Sequence, residues 1–467
     1  MREEKTVANS KIDELTSLKT ELKRELGLWE GVSIIAGIMI GSGIFFLGSF
    51  VLQRSHLAPG LALLAWLAGG IITLLAGLCY AELGAAIPRA GGAYVYLREA
   101  YGPLMGFLSG WTSFFVSASG SISALAVAFA TYFSAIVPLS PLGIKLLAIG
   151  TIIFLTFINA LGVKLGGQVQ NVLMIAKLLP IVIIIVAGLV FGSADNPMTV
   201  FPGGTGLLSS FGMALIASLW AYEGWSNVNT IAEEIKNPQR NLPLALLIAI
   251  GGVTTIYVLF NFALLKVLPA ATIAADAKPA AAAAKLIFGP WGASLVTLGA
   301  LISIFGSTNG CVLVFPRTYY AMAKDGLFFP LFAEVHPEYR TPIPSLIASA
   351  AVAIILLYTG TFQQLTTMVV FAGWVFYTLT IVSVFILRRK YPDLPRPYKV
   401  WGYPVVPALS VLTSLFLLIN CLIEDPRSSL FGLVIPALGV PAYYWFKAAQ
   451  ARREARLTAA GTAAGRE

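Results

Sequence analysis

The feature that most constrains this chain is a series of long apolar segments separated by short polar connections. Hydrophobic residues make up 57% and charged residues 11% of its 467 positions, and the mean hydropathy is +0.82. A soluble domain carries about 25% charged residues, whereas a helix of about 20 apolar residues is long enough to cross a bilayer. The composition therefore predicts an all-α, multi-pass membrane protein.

Twelve segments have the length and composition of membrane spans, and we number them span 1 to span 12 in chain order. Their predicted bounds are Leu28–Phe50, Leu61–Ile87, Leu104–Val137, Leu142–Leu161, Val169–Phe191, Leu207–Ile231, Leu242–Leu268, Trp291–Ala323, Ile343–Tyr358, Leu365–Leu387, Pro404–Ile423 and Leu430–Phe446. Span 1 follows a charged segment rich in Lys, Glu and Arg, so we interpret it as a retained helix rather than a cleaved signal peptide.

The distribution of basic residues supports this topology. With a cytoplasmic N-terminus, 24 of the 31 Lys and Arg residues lie in the tails, the inner connections or the inner ends of spans, six lie on the outer side, and Lys177 lies in the middle of span 5. Inner loops of membrane proteins carry such an excess. We expect a protein of the cell (inner) membrane with both termini in the cytoplasm and no nucleic-acid partner, because topology accounts for the positive charge. The tail after Lys447 is expected to be disordered.

Residues that catalyse reactions or bind metals are sparse. The only histidines, His56 and His336, lie in connections on opposite predicted sides, so no histidine pair is available for catalysis or metal binding. The three cysteines, Cys79, Cys311 and Cys421, fall in separate apolar segments and form no ligand set. The sequence contains no P-loop motif. We therefore expect neither an enzyme nor an ATP-driven pump, with no metal and no cofactor.

Span 1 contains a run of small residues where a membrane helix is normally most regular. Gly37, Gly41 and Gly43 lie close together, and Ser42 separates the last two. Irregular backbone inside a membrane persists only where protein covers it or where it lines a cavity. The run is therefore a candidate binding site, although glycines four residues apart are also typical of close helix packing.

Span 6 has a matching irregularity around Glu223. Its middle reads Ser218-Leu219-Trp220-Ala221-Tyr222-Glu223-Gly224-Trp225-Ser226-Asn227. A charged residue at mid-membrane costs at least about 2.5 kcal/mol on insertion scales, so it usually faces a cavity or a partner. Glu223 therefore marks a second candidate site.

The positions of the two irregular spans indicate an inverted repeat. They lie about 180 residues apart, as the first and sixth of ten core spans, and this pattern is typical of transporters with a site at the membrane midplane. We expect residues 28–191 and 207–387 to form the two repeats. The remaining segments are two peripheral spans in residues 404–446 and the tails 1–27 and 447–467.

Several motifs together resemble the L-amino-acid transporter (LAT) family of the amino acid, polyamine and organocation superfamily. They are Gly41-Ser42-Gly43-Ile44-Phe45, Ala81-Glu82-Leu83, Arg89-Ala90-Gly91-Gly92-Ala93-Tyr94, Trp220-Ala221-Tyr222-Glu223-Gly224-Trp225 and Glu233-Glu234-Ile235-Lys236-Asn237-Pro238. The resemblance extends over the whole twelve-span region. It implies a LeuT-type fold in which spans 1 and 6 are broken.

The resemblance also implies that an amino acid bridges the two breaks. Peptide N–H groups at Gly41, Ser42 and Gly43, near the positive end of a half-helix, suit an α-carboxylate. Carbonyls around Leu219 to Tyr222 suit the α-ammonium. The expected substrate-binding residues are Ile40, Gly41, Ser42, Gly43, Ile44, Leu219, Trp220, Ala221, Tyr222 and Glu223. Alternating access would follow as the surrounding helices rock or gate.

Two residues of span 6 have more than one possible role. In similar transporters the aromatic residue at the Trp220 position closes over the substrate from outside, so Trp220 is the expected gate, with simple packing as the alternative. Glu223 could contact polar substrates, carry a proton or hold the unwound backbone, and we favour the last role. Because bacterial relatives often have an acid here, Glu223 does not by itself indicate a cationic substrate.

Lys177 in span 5 matches a lysine that replaces a sodium ion between spans 1 and 8 in sodium-independent members. Its expected contacts are span 1 carbonyls near Gly37 and Ile38 and span 8 residues near Ser307 and Asn309. Cys311 stands nearby, where LAT members often have a hydroxyl residue. The ammonium could be a permanent charge in an exchanger or a proton carrier in a symporter.

The resemblance favours a sodium-independent exchanger of L-amino acids, with neutral ones expected. The alternatives are a proton-coupled amino-acid symporter, a polyamine carrier and a non-transporting amino-acid sensor, and a polyamine lacks the carboxylate that the span 1 break would bind. Animal LAT proteins usually join a single-span glycoprotein through a cysteine between spans 3 and 4. Residues 137–141 of that connection contain none, so we expect the substrate and the bilayer as partners and no disulfide-linked heavy chain.

Overall fold

The computed structural model describes residues 10–201, 206–358, 362–424 and 426–464. The outermost residues of both predicted tails, 1–9 and 465–467, lie outside this range. All twelve predicted spans coincide with helical segments, which confirms the expectation of an all-α membrane protein. Within the described ranges, the β-type pairing consists of one isolated bridge between Leu26 and Ile235.

Seven unbroken helices of the described chain are long and apolar enough to cross a membrane. They are Pro59–Ala86 (span 2), Pro103–Ser134 (span 3), Pro141–Ala160 (span 4), Val163–Phe191 (span 5), Pro238–Val267 (span 7), Pro290–Lys324 (span 8) and Val405–Ile423 (span 11). Proline opens most of these helices, because its fixed φ suits the first helical turn and its missing N–H has no intrahelical partner there. Three further predicted spans coincide with the helices Ile343–Leu356 (span 9), Phe362–Lys390 (span 10) and Pro426–Ala464 (span 12).

Spans 1 and 6 are both interrupted. Span 1 consists of a first half, Leu28–Met39, and a second half, Gly43–Arg54, whose axes differ by 50°. Span 6 consists of the helix Leu207–Leu219 and the 3₁₀ segments Trp220–Tyr222 and Trp225–Glu234. We call residues 40–42 the span 1 break and residues 220–224 the span 6 break.

The span 6 break contacts the last turn of the first half of span 1 at Gly224. This glycine has a φ of +106°, which side chains rarely allow, and a Cβ atom there would lie 2.4 Å from Cγ2 of Ile38. The close approach is therefore possible only for glycine. It brings the irregular backbone of span 6 against the end of the first half of span 1, about 180 residues earlier in the sequence.

The helices around the breaks form two groups. Spans 2 and 7 pack on spans 1 and 6, and spans 3, 4, 8 and 9 pack on one another. In the first group the Tyr222 hydroxyl donates to the Trp66 carbonyl at 2.8 Å, and the Ser218 hydroxyl donates to the Ala65 carbonyl at 3.0 Å. Hydrogen bonds therefore connect span 6 to span 2 both before and after Leu219, where the α-helix of span 6 ends.

The N-terminal segment, residues 10–26, lies across one end of the helix bundle. Leu26 forms two backbone hydrogen bonds beside the end of span 6. Its N–H donates to the Glu234 carbonyl at 3.0 Å, and its carbonyl accepts from the Lys236 N–H at 2.7 Å. Glu21 pairs with Lys324 at the end of span 8, with 2.6 Å between the charged atoms. We call this end of the bundle the tail face.

The C-terminal segment reaches the same end. The helix of span 12 continues to Ala464, so the expectation of disorder after Lys447 is wrong for the described residues of this tail. The segment is rich in alanine, which has the highest helix propensity, and Gln450 packs so closely on Gly326 that a Cβ there would lie 2.6 Å from its Cδ. Both ends of the described chain therefore lie at the tail face.

Candidate functional site

A cavity of about 330 Å³ adjoins both breaks. Its wall includes Gly41, Ser42, Gly43, Trp220, Ala221, Glu223 and Gly224. From the breaks it extends along span 3 to Gly91 and Tyr94, close to the tail face. Ligand pockets for small organic molecules start at about 300 Å³, so the cavity can hold one small solute.

One wall of the cavity is a row of serines on span 3. Ser109, Ser113, Ser117 and Ser121 all line it, at intervals of four residues. The segment Ser113–Ser117 is π-helical, a local distortion that often occurs at functional sites. Sequence reasoning missed this wall, although residues four apart share one face of a helix and the spacing was visible.

Lys177 occupies the junction of spans 1, 5 and 8. Its Nζ atom donates to the carbonyl oxygens of Gly37 at 2.7 Å, Ile40 at 2.8 Å and Ser303 at 3.0 Å. The side chain is fully buried, and an ammonium has three hydrogens, so all of its donors are used. The positive charge lies at the C-terminal end of the first half of span 1, where the helix dipole favours a cation.

Two hydroxyl groups of span 8 bond to the same carbonyls. The Ser307 Oγ atom donates to Gly37 at 2.9 Å, and the Ser303 Oγ atom lies 2.7 Å from the Ile40 oxygen. Ser303 is one helical turn before Ser307 and was not among the expected residues. The charged site therefore combines backbone from span 1 with side chains from spans 5 and 8.

The other residues expected around Lys177 have different partners. The side chain of Ile38 packs against Gly224 and Gly310, and Asn309 pairs with the side chains of Asn159 and Gln170. Cys311 lines the cavity. Ile40, which was expected to bind substrate, accepts a hydrogen bond from Lys177 through its carbonyl and is absent from the cavity wall as the described residues define it.

Tyr257 of span 7 connects the two breaks. Its hydroxyl oxygen lies 2.9 Å from the Met39 carbonyl oxygen and 3.0 Å from that of Ala221. A hydroxyl has one hydrogen, so it can donate fully to only one of these carbonyls at a time. A tyrosine in an apolar helix gives no special sequence signal, and sequence reasoning did not select it.

Comparison with known proteins identifies the family. The sequence model described as amino acid permease matches residues 26–440, which include both breaks, Lys177 and Tyr257. The chain belongs to this amino acid permease family. The match starts within the N-terminal segment and ends inside span 12.

Individual relatives of the permease are similar along most of their length. The serine/threonine exchanger SteT of Bacillus subtilis is 38% identical over 431 residues, which are 91% of this chain and 97% of that protein. The human b(0,+)-type amino acid transporter 1 is 36% identical over 438 residues, 91% of this chain and 88% of the relative. The human cystine/glutamate transporter is 34% identical over 435 residues, 92% and 86% of the two chains. These matches confirm the resemblance to LAT-type transporters.

In the permease, span 1 restarts as a helix at Gly43, which lies on the cavity wall as the described residues define it, whereas Ile44 does not. The first N–H groups of a helix have no intrahelical acceptor, so those of Gly43 and Ile44 are available to a ligand. The Gly41 N–H, which the sequence assigned to a carboxylate, donates to the Met39 carbonyl at 2.9 Å. The N-terminus of the second half-helix therefore has the general character of an anion-binding position, and it lies beside Ser42.

Trp220 lies at the start of the span 6 break. Its Cζ3 atom lies 3.9 Å from the position that a Cβ on Gly43 would take, and its ring centroid lies 6.4 Å from that of Phe46. The indole thus covers the point where the second half of span 1 begins. It also forms part of the cavity wall.

Glu223 is the one formally charged residue on the wall of this cavity as the described residues define it. The side chain of Trp374 and the backbone N–H of Gly224 are within hydrogen-bonding reach of its carboxylate. Close by, the rings of Tyr80, Trp225 and Tyr377 pack with centroid distances between 4.9 and 5.3 Å. The carboxylate therefore lies between the span 6 break and Trp374 of span 10, and Glu223 also lines the cavity.

Proposed function

We propose that this protein is a sodium-independent exchanger of L-amino acids that works by alternating access. The observation that carries the proposal is the bonding of the Lys177 ammonium to three backbone carbonyls at the junction of spans 1, 5 and 8. In transporters with broken helices, unwound carbonyls of this kind coordinate the coupling ion. A charge that belongs to the protein takes that role here, so transport needs no sodium.

The substrate would be a zwitterion held between the two breaks. The free N–H groups at Gly43 and Ile44 suit its carboxylate, and the backbone carbonyls that follow Leu219 suit its ammonium. Support comes from the cavity of about 330 Å³, whose wall includes residues of both breaks. Trp220, at the same point, is the proposed gate.

We place small neutral amino acids first as substrates. The four serines of span 3 give the cavity wall a row of hydroxyl groups, which suits a small or polar side chain. The similar protein of Bacillus subtilis is named a serine/threonine exchanger, in agreement with this choice. Serine and threonine are therefore the first compounds to test.

The protein would lie in the inner membrane of the cell, with its tail face on the cytoplasmic side. This orientation follows from the excess of Lys and Arg in the connections on that side. Trp220 would then lie toward the outside, and the cavity would extend inward to Gly91 and Tyr94. Residues 28–191 and 207–387 would be the two inverted repeats, and no disulfide-linked subunit would be needed.

A proton-coupled symporter is the second candidate, because of Glu223. A carboxylate on the wall of a substrate cavity can bind and release a proton during a transport cycle. Such a cycle would move substrate in one direction and would not require an amino acid on the far side. The exchanger and the symporter therefore differ in whether uptake requires an amino acid inside the vesicle.

Uptake into proteoliposomes tests the proposal. A thermal-shift screen against the twenty amino acids first selects a ligand, since a ligand stabilises the state that it binds. Labelled ligand is then offered to vesicles that are empty or loaded with unlabelled ligand, with sodium or with choline outside. We expect uptake only into loaded vesicles and no effect of sodium.

The other outcomes identify the alternatives. Uptake into empty vesicles that is driven by a pH gradient would establish symport and overturn exchange. Stabilisation by an amino acid without any uptake into loaded vesicles would indicate a sensor. Stabilisation by polyamines but by no amino acid would indicate a polyamine carrier.

A further inference from the structure

Three buried amide side chains form a continuous hydrogen-bonded chain beside the Lys177 site. Asn159 of span 4 donates to the Asn309 oxygen of span 8 at 2.9 Å, and Asn309 donates to the Gln170 oxygen of span 5 at 2.8 Å. Gln170 in turn donates to the Ser33 carbonyl of span 1 at 3.3 Å. We call these three side chains the amide chain; it links four helices, and none of its members is more than 1% exposed.

Glycines make room for the amide chain at both ends. A Cβ atom on Gly37 would lie 1.9 Å from the Gln170 nitrogen, and one on Gly166 would lie 2.2 Å from the Asn159 oxygen. Any larger residue at either position would displace an amide. Gly37 therefore has two neighbours from span 5, because its carbonyl bonds to Lys177 and its α-carbon touches Gln170.

Stability alone is a poor explanation for three amides in this place. Replacing both partners of a buried hydrogen bond with apolar groups of the same shape is often nearly neutral for stability. Buried polar networks do, however, fix one relative position of the elements that carry them. The position fixed here is that of the first half of span 1 against spans 4, 5 and 8.

The amide chain makes its bonds without the substrate. Asn159, Gln170 and Asn309 are all absent from the cavity wall as the described residues define it. Its hydrogen bonds therefore oppose movement of span 1 whether or not a ligand occupies the breaks. Only a ligand that bonds to the breaks can offset that cost, because it interacts differently with the two conformations.

We propose that Gln170, Asn309 and Asn159 are positioning residues that make exchange obligatory. They would hold the first half of span 1 in place when the carrier is empty. The empty carrier would then not reorient, and transport of one substrate molecule would require the return transport of another. This role rests on the proposed exchange function. It assigns to the amide chain a part in coupling rather than in substrate binding.

The test compares uptake into loaded and empty vesicles for Gln170→Ala, Asn309→Ala and the double variant. The matched control is Gln168→Ala, which removes the same kind of side chain from an exposed position on the same helix. Each single variant removes at least two hydrogen bonds between membrane helices and should therefore lower the loaded-to-empty ratio by about three- to tenfold. The KM for substrate should stay near that of the parent.

The double variant distinguishes a chain from two separate contacts. Since both residues belong to one network, its ratio should resemble that of the more affected single variant. Strictly additive effects would overturn the chain, and a Gln170→Ala ratio equal to that of Gln168→Ala would overturn the proposal. If the parent shows equal uptake into loaded and empty vesicles, exchange itself is refuted, and the coupling role is refuted with it.

A more conservative variant covers the case in which Gln170→Ala does not fold. Gln170→Glu keeps the volume and the oxygen that accepts from Asn309, but its carboxylate has no hydrogen to donate to the Ser33 carbonyl. The same fall in the loaded-to-empty ratio is expected. An unchanged ratio in this folded variant would contradict the role of the bond to span 1.

Discussion

The Lys177 ammonium donates a 2.7 Å hydrogen bond to the Gly37 carbonyl, which the break in span 1 leaves without its helical partner. In a regular helix this carbonyl would accept from the N–H four residues later. That N–H belongs to Gly41 and bonds to Met39 instead. The lysine thus replaces a missing backbone bond, and movement of the first half of span 1 must change its bonding.

Lys177→Met tests the importance of this bond. Methionine keeps an unbranched, flexible side chain but has neither the charge nor the three donors. Hydrogen bonds that involve a charged group contribute about 1.5–3 kcal/mol, so we expect exchange to fall by at least tenfold. Exchange in proteoliposomes is the measurement, and Lys164→Met, at an exposed position of the same helix, is the control. Equal activity of the two variants would contradict the proposed role.

Tyr257→Phe tests the connection between the breaks. Phenylalanine keeps the ring that packs 5.4 Å from Trp66 and 5.1 Å from Tyr222 but removes the hydroxyl. One hydrogen bond contributes about 0.5–1.5 kcal/mol, so the substrate KM should rise about three- to tenfold with little loss of stability. Tyr101→Phe, whose hydroxyl bonds elsewhere to the Leu379 carbonyl, serves as the control. A KM unchanged by Tyr257→Phe would show that the bridge does not affect binding.

Much of the fold could be predicted from the sequence because a bilayer allows few backbone arrangements. Long apolar runs predict helices, and the glycines near Gly41 and the charge at Glu223 locate the two breaks, since both violate the pattern of a spanning helix. The C-terminal tail was misjudged because its composition suggests a solvated segment. Its alanine content and the packing of Gln450 on Gly326 favour a helix instead.

The partners within the site could be predicted less well. Lys177 and Ser307 were selected together, but Ser303 and Tyr257 were not, because a serine or tyrosine in an apolar helix has no distinctive pattern. Which of two neighbouring carbonyls, at Ile38 or Ile40, accepts a bond depends on the local direction of the broken backbone. That direction is set by tertiary packing and cannot be derived from residue types.

Trp220→Ala tests the proposed gate. Removing the indole exposes the start of the second half of span 1, and a large apolar side chain contributes about 1.5–3 kcal/mol when fully buried. We expect the substrate KM to rise by about tenfold or more and bound substrate to be released faster. Trp220→Phe keeps an aromatic ring and should retain most of the parent's activity. Equal KM and rate for Trp220→Ala and the parent would reduce Trp220 to a packing residue.

Glu223→Gln tests whether the cavity carboxylate selects the charge of the substrate. Glutamine keeps the volume and an acceptor oxygen for Trp374 and Gly224 while it removes the charge. Hydrogen bonds to charged groups contribute about 1.5–3 kcal/mol, so direct contact of Glu223 with a cationic side chain predicts that inhibition by lysine or arginine weakens by at least tenfold. Uptake of a small neutral amino acid should change by less than about twofold.

Two results would assign Glu223 another role. If both neutral and cationic amino acids lose affinity equally, the carboxylate holds the span 6 break rather than the substrate. If the variant loses a pH dependence that the parent shows, Glu223 carries a proton. Competition curves at two pH values with Glu223→Gln and the parent distinguish the three cases.

Arg317 and Glu234 form a fully buried ion pair between the end of span 8 and the end of span 6. Two guanidinium nitrogens lie 2.7 and 2.9 Å from the two carboxylate oxygens, and both side chains are 0% exposed. Removing one partner of such a pair leaves an uncompensated charge and costs about 3–5 kcal/mol. Arg317→Ala should therefore lower the thermal unfolding midpoint in detergent by several degrees and reduce the yield of folded protein.

The control for this prediction is an exposed pair on the same face. Glu21 and Lys324 lie 2.6 Å apart but are 56% and 41% exposed, so Lys324→Ala should cost no more than about 1 kcal/mol. Replacing both buried partners, in Arg317→Met with Glu234→Leu, should restore most of the stability, because no unpaired charge remains. If the double variant unfolds as early as Arg317→Ala, lost packing rather than the isolated carboxylate explains the cost.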